Sequence, residues 1–307
     1  RRRARRRIAV VATAIALVGA MAPAAMAKAA PKPAKVHAPA PPKPLPRTGL
    51  IVSTCTFSHR SNDDPIVYPN LSGVSHSHDF FGNATTDASS TYASLLGHST
   101  TCGVAGDTAA YWAPTLSVNG IAVKPAALGA YYAVFGTQPV HPLPAGLEMI
   151  AKGAGNVHFS CFSHSMPTQA FTVMPSCKPG QLMAIGVNFP SCWNGADLDS
   201  PDHMSHMTYP VHNVCPAGYP VIVPRLSVWV MYKAVPHGSV ITLSSGALDT
   251  AHADYIQSWN QQTLSTLENY CLVGHRECYK EMGLVLRKLR LAHNKLGETV
   301  SEPPAGA

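Results

Sequence analysis

His76-Ser77-His78-Asp79 sets two imidazoles two residues apart. In an extended chain such residues point to the same side, so both rings can reach one metal ion. A second concentration runs from Ser191 to Pro210, where Asp197, Asp199, Asp202, His203 and His206 share a short stretch with Cys192 and Trp193. Gly195 and Pro201 break any long helix there, so these groups belong on a loop held by a scaffold. A third set is His252 and Asp254, within Asp249-Thr250-Ala251-His252-Ala253-Asp254-Tyr255. Neutral imidazole suits zinc, copper, iron or nickel, and three protein ligands leave a position open for chemistry.

These residue types suggest a division of labour. His76, His78 and His206 are candidate ligands of a divalent transition metal, zinc or copper. Asp202, His203, His252 and Asp254 are candidate acids and bases, with Asp202 or Asp254 able to act directly or to orient an imidazole. Trp193, Asp199 and Tyr209 are candidate contacts to a substrate. A purely carboxylate route is also open, pairing Asp199 with Asp202 or Asp254 as in glycan hydrolysis. Each set has a plainer alternative. The H-x-H pair can simply bond backbone or carboxylate, Asp199 and Asp202 can form Asx turns about Pro201, and Trp193 can pack on the Cys192 disulfide. Other chemistries lack their signatures. The chain has no H-E-x-x-H, no G-x-S-x-G elbow, no phosphate-cradling glycine loop and no dinucleotide fingerprint.

The scaffold for these groups is expected to be mainly β, a single disulfide-bonded sandwich or barrel-like domain with one or two C-terminal helices. Short β-type runs recur at Gly49–Ser58, Ala109–Val118, Ala130–Gly136, Gly146–Ala151, Val157–Phe162, Ala170–Met174, Gln181–Phe189, Leu226–Tyr232 and Ser239–Leu243. Asn119-Gly120, followed by Ile121-Ala122-Val123, is a strong hairpin signal. Thr250 to Leu272 lacks Gly and Pro, and Ile256, Trp259, Leu264 and Leu267 fall near helical spacing. That predicts a helix capped by Asp249 or Thr250, with His252 and Asp254 in its first turn. The dipole there favours Asp254 and disfavours a charged His252, which would leave a neutral imidazole beside an acid. A second helix is predicted from Glu277 to Leu296.

The N-terminal sequence suggests export. Arg1 to Arg7 precede an apolar run from Ile8 to about Ala22 and a small-x-small site at Ala25-Met26-Ala27, the layout of a signal peptide over residues 1–27. Residues 28–48 read as a Pro/Ala/Lys linker, 49–298 as one domain and 299–307 as a disordered tail. No later apolar stretch is long enough for a transmembrane helix. Six of the 23 cations lie in the leader and five in the linker, leaving 12 against all 16 acids, a net −4 for residues 49–307. Such a domain lacks the basic face a nucleic-acid partner requires. The eight cysteines, an even number with no C-x-x-C, read as four disulfides of an oxidising compartment, and sequential pairing closes the shortest loops.

Four motifs resemble a secreted family of bacteria and filamentous fungi catalogued as a domain of unknown function and often fused to WSC carbohydrate-binding modules. They are Asp64-Pro65-Ile66-Val67 through Ser75-His76-Ser77-His78-Asp79-Phe80-Phe81-Gly82; Cys192-Trp193-Asn194-Gly195 with Leu198-Asp199-Ser200-Pro201-Asp202-His203, Ser205-His206 and Tyr209-Pro210; Cys215-Pro216 with Tyr219-Pro220-Val221 and Pro224-Arg225-Leu226; and Ser244-Ser245-Gly246 with His252-Ala253-Asp254-Tyr255 and Trp259. The resemblance implies an extracellular or cell-wall location and, by analogy, a polysaccharide partner. The expectation is therefore a secreted, monomeric protein that cleaves extracellular glycan with metal or carboxylate assistance. The alternative is a non-catalytic extracellular module that binds glycan or metal through the same residues.

Overall fold

The computed structural model describes residues 46–278, apart from 164, 165, 168 and 179. The leader, all but the last three linker residues, the predicted helix beyond Cys278 and the tail lie outside them. The described residues all belong to one compact unit.

Two antiparallel sheets make the body. The larger has seven strands in the order Met166–Pro167, Val157–Ser163, Leu182–Asn188, Arg225–Lys233, Ala127–Phe135, Arg47–Cys55 and Glu277–Cys278, only the last pairing being parallel. The smaller has five, in the order Phe57–Ser61, His78–Gly82, Ala110–Pro114, His252–Ile256 and Glu148–Lys152. Neither sheet closes on itself, so of the two expected architectures the sandwich is the one formed. Side-chain alternation explains the layering. Ile51, Tyr132, Ile185 and Val230 of the larger sheet share one buried cluster with Phe81, Tyr111, Met149 and Tyr255 of the smaller. Phe80, Ala110, Trp112, Ile150 and Ile256 point out of the other face of the five-stranded sheet, where Ile66, Leu95 and Met204 cover them. That outer face carries the candidate site.

The Asn119-Gly120 hairpin forms as expected. Both residues have positive φ (52° and 80°), and Val118 pairs with Ile121. The four disulfides pair sequentially: Cys55–Cys102, Cys161–Cys177, Cys192–Cys215 and Cys271–Cys278. Arg47 and Thr48, assigned to the linker from composition, instead begin the first strand, where Arg47 pairs with Glu277 and the Thr48 hydroxyl donates to the Gly136 carbonyl. Ala170–Met174 shrinks to one bridge between Phe171 and Phe159. Glu277–Cys278, placed at a helix start from sequence, pairs as a strand with Leu50 and Ile51.

The predicted long helix is the main correction. His252–Ile256 is a strand paired on both sides, and apart from the short 3-10 turn Leu248–Thr250 only Gln261–Leu267, continuing through Glu268–Val273, is helical there. Ala253 and Tyr255 enter the inter-sheet core while Ile256 faces outward, a period of two. The spacing from Ile256 to Trp259 is a coincidence, since those side chains lie in different clusters. The helix begins at Asn260, whose side chain accepts the Thr263 N–H. Among the described residues, no helix is long and apolar enough to cross a membrane.

Candidate functional site

His76, in the extended approach to the His78–Gly82 strand, lies beside His78 with ring centroids 4.2 Å apart. His252 opens a strand that is not the neighbour of His78–Gly82, because Ala110–Pro114 runs between them. At that level the intervening strand has Pro114, which pairs with His78. The two imidazoles meet above it, with His252 5.1 Å from His76 and 5.8 Å from His78 between centroids. One ring nitrogen of each lies within 4.8 Å of the other two.

Hydrogen bonds fix which nitrogen faces inward. Nδ1 of His78 is 3.0 Å from the Asp63 carbonyl oxygen, and Nδ1 of His252 is 2.9 Å from that of Thr250. A carbonyl only accepts, so each Nδ1 bears the proton and each Nε2 keeps its lone pair. Nε2 of His76 and of His78 are both buried without a hydrogen-bond partner. Burial lowers all three imidazoles, to about 3 for His78 and about 4 for His252, and neighbouring rings add to the effect on those two. At neutral pH the site therefore gathers neutral bases, and His78 and His252 turn lone pairs rather than donors toward it. Backbone carbonyls that lock Nδ1–H and turn Nε2 toward a common point are typical supports of metal-binding histidines.

Asp254 lies on the same face of its strand as His252. Its carboxyl is fully buried, and Oδ2 has no hydrogen-bond partner and lies 3.9 Å from Nε2 of His252. Desolvation, then the nearby Asp64, holds its pKa well above the carboxylate range. Trp112, opposite Asp254 in the register and stacked on Phe80, has a buried Nε1 that is also unpartnered. A cleft of about 590 Å³ adjoins the group, lined by His76 and His252 together with Lys152, Ser244, Ser245 and Asp249.

The Ser191–Pro210 loop packs on the same sheet face, at the other end of the Glu148–Lys152 strand. His252 pairs with Lys152 there and Ile256 with Glu148. Glu148 holds the loop through its backbone, donating N–H to Leu198 and accepting from Nε2 of His206 at 2.7 Å. The other nitrogen of His206 meets the Ser200 hydroxyl at 2.9 Å. Both ring nitrogens of this buried residue are thus engaged, one within the loop and one with the sheet, and the third imidazole beside His76 and His78 is His252, not His206. Asp202 is exposed; its Oδ1 accepts from the backbone of Met204 and Ser205 and from the Ser200 hydroxyl, which lowers its pKa. That is an Asx turn. Trp193 donates Nε1–H to the Asp197 carbonyl, and the Tyr209 hydroxyl donates to that of Asn188.

Asp199 and His203 form a pair, Nδ1 to Oδ2 at 2.9 Å, with His203 in the left-handed backbone region at φ 58°. Such strain in a non-glycine residue costs energy that the surrounding structure must hold. The Glu148 carboxyl is raised to about 7 by burial and by Asp199 and Asp64, with His203 opposing. Neither Glu148 nor Asp64 stood out as a site residue in the sequence. Glu148 heads an ordinary alternating strand, and only the loop folding back on it marks it.

No curated protein and no solved structure matches the chain. The family model described as "Domain of unknown function (DUF1996)" matches residues 64–259, a span that includes both H-x-H imidazoles, the Asp199–His203 pair, His252 and Asp254, and the chain belongs to that family.

Proposed function

We propose that this is an exported protein whose His76, His78 and His252 hold one divalent transition metal, zinc or copper, and which cleaves polysaccharide outside the cell or in its wall. The observation that carries this reading is the convergence of three uncharged imidazoles, two with buried and unpartnered Nε2 atoms, beside an open cleft. Three protein ligands and an open side are the arrangement of a catalytic rather than a sealed structural site. A bound ion supplies Lewis acidity and a more acidic water. Asp254, whose buried carboxyl holds its proton, is placed to donate to, or orient, a group held against His252. Four disulfides fit an oxidising compartment. The hydroxyls of Ser244 and Ser245, with Lys152 and Asp249, give the cleft the polar lining that a polyhydroxylated chain requires.

In the same proposal Asp199, His203 and Glu148 form a second proton-handling group along the sheet face. The test is elemental analysis of protein purified without added metal and after loading with zinc or copper, followed by product analysis on neutral and acidic polysaccharides with and without chelator. About one ion per chain, with chelator-sensitive cleavage, is the expected result. Failure to retain either metal overturns the centre. Retention without cleavage of any polysaccharide reduces the protein to a binding module.

A further inference from the structure

The third sequence motif, Pro224-Arg225-Leu226, takes no part in the imidazole cleft. Arg225 starts the Arg225–Lys233 strand of the larger sheet, opposite Ala133. Its guanidinium carbon lies 3.7 Å from the ring centroid of Phe135. No carboxylate among the described residues forms an ion pair with it, and its Nε is buried without a hydrogen-bond partner. Burial lowers its pKa, and its charge adds to the burial that lowers the pKa of His158. A partly buried cation left without an anion is costly, whereas one whose partner arrives with a ligand is a binding device.

The guanidinium borders a cavity of about 150 Å³. Ser191, Gln138 and Asn213 add neutral polar groups to its lining, Phe135, Val140 and Ile222 supply apolar walls, and no acid lines it. An apolar cavity of about this volume accommodates a benzene ring. We infer that this cavity is a second ligand site, which takes a small organic carboxylate with its charged end on Arg225 and a compact apolar body between Val140, Ile222 and Phe135. The planar guanidinium fork matches a carboxylate. A single cation on mostly apolar walls matches inorganic phosphate poorly.

Calorimetric titration of the full chain with benzoate tests this, with benzamide as the uncharged isostere and inorganic phosphate as the competing anion. Benzoate is expected to saturate below about 10 mM. Benzamide and phosphate are each expected to bind at least about tenfold more weakly, and Arg225→Met to weaken benzoate by a similar factor. A second variant covers the case in which Arg225→Met fails to fold. Gln138→Glu adds a carboxylate to the cavity lining and is expected to raise the melting temperature while abolishing benzoate binding. The site is overturned by absent saturation, by equal binding of benzamide, by unchanged benzoate affinity in Arg225→Met, or by benzoate binding that survives in Gln138→Glu. Phosphate binding as tight as benzoate overturns the carboxylate assignment. The metal content of the imidazole group is a separate readout and does not enter this test.

Discussion

His78 and His252 meet nearly edge to face, at an interplanar angle of 83°, from strands separated by a third. Neighbouring strands place opposing side chains at van der Waals distance without further help. Two strands removed, contact requires rings that lean toward each other, and Pro114 lies beneath them in the register. Each ring is turned by a backbone carbonyl, Asp63 for His78 and Thr250 for His252. The backbone thus aims both Nε2 atoms independently of any ion.

From that geometry, removal of either ring should abolish metal retention. His78→Ala and His252→Ala are expected to lower zinc or copper affinity by more than the roughly 10–100-fold typical of losing a supporting group. Competition with a chromogenic chelator measures it. A variant that keeps wild-type affinity would exclude its ring from the centre.

His206 should behave in the opposite way. Its ring bridges the Ser200 hydroxyl and the Glu148 carbonyl, tying the loop to the sheet. His206→Ala leaves a buried carbonyl without its donor, so a loss of about 1–3 kcal/mol is expected in denaturant unfolding. Metal stoichiometry should be unchanged. A variant that loses metal but keeps its stability would move His206 into the centre.

Much of the β scaffold was legible in the sequence because its signals are local: alternation, the Asn119-Gly120 turn and cysteines that close short loops. The H-x-H pair was legible for the same reason, since two residues of an extended chain must share a face. The partner of that pair was not. Both His206 and His252 looked eligible, and only the strand order decides which approaches Pro114. The helix assigned over Thr250–Leu272 failed where pairing on both edges outweighed a short helical period, while Asn260, the residue that caps the real helix, carried a usable local signal. Glu148 was hidden because a chain segment distant in sequence makes it notable.

Gly82 ends the strand that begins with His78, and its φ of 77° lies in the left-handed region. A Cβ there would approach the Ala109 carbonyl oxygen to 2.1 Å, and backbone cannot move aside as a flexible side chain can. Gly82→Ala should therefore cost about 3 kcal/mol or more. Chemical denaturation tests this. A loss below about 1 kcal/mol would mean that the backbone relaxes freely at this strand end.

The core itself should respond to pH through Glu268. Its Oε1 accepts the Leu143 N–H at 3.0 Å, and burial raises its pKa from an ordinary 4.5 to about 7. The folded state thus holds this proton more tightly than the unfolded chain does. The stabilisation is complete below about pH 4.5 and is lost as pH rises through 7. Gln at this position can still accept from Leu143 but has no proton to lose. Other buried acids, Asp107 and Glu148 among them, are raised to about 7 as well, so the wild-type profile alone cannot isolate one group. The difference between the two proteins can, because the groups common to both cancel. Glu268→Gln should match wild type within about 1 kcal/mol near pH 5 and exceed it by about 1–3 kcal/mol at pH 8. For a domain of this size that is a gap in melting temperature of roughly 2–4 °C per kcal/mol, opening on the alkaline side. A gap that stays constant with pH would show that the carboxyl does not titrate in this window, and one that opens toward acid would reverse its assigned direction.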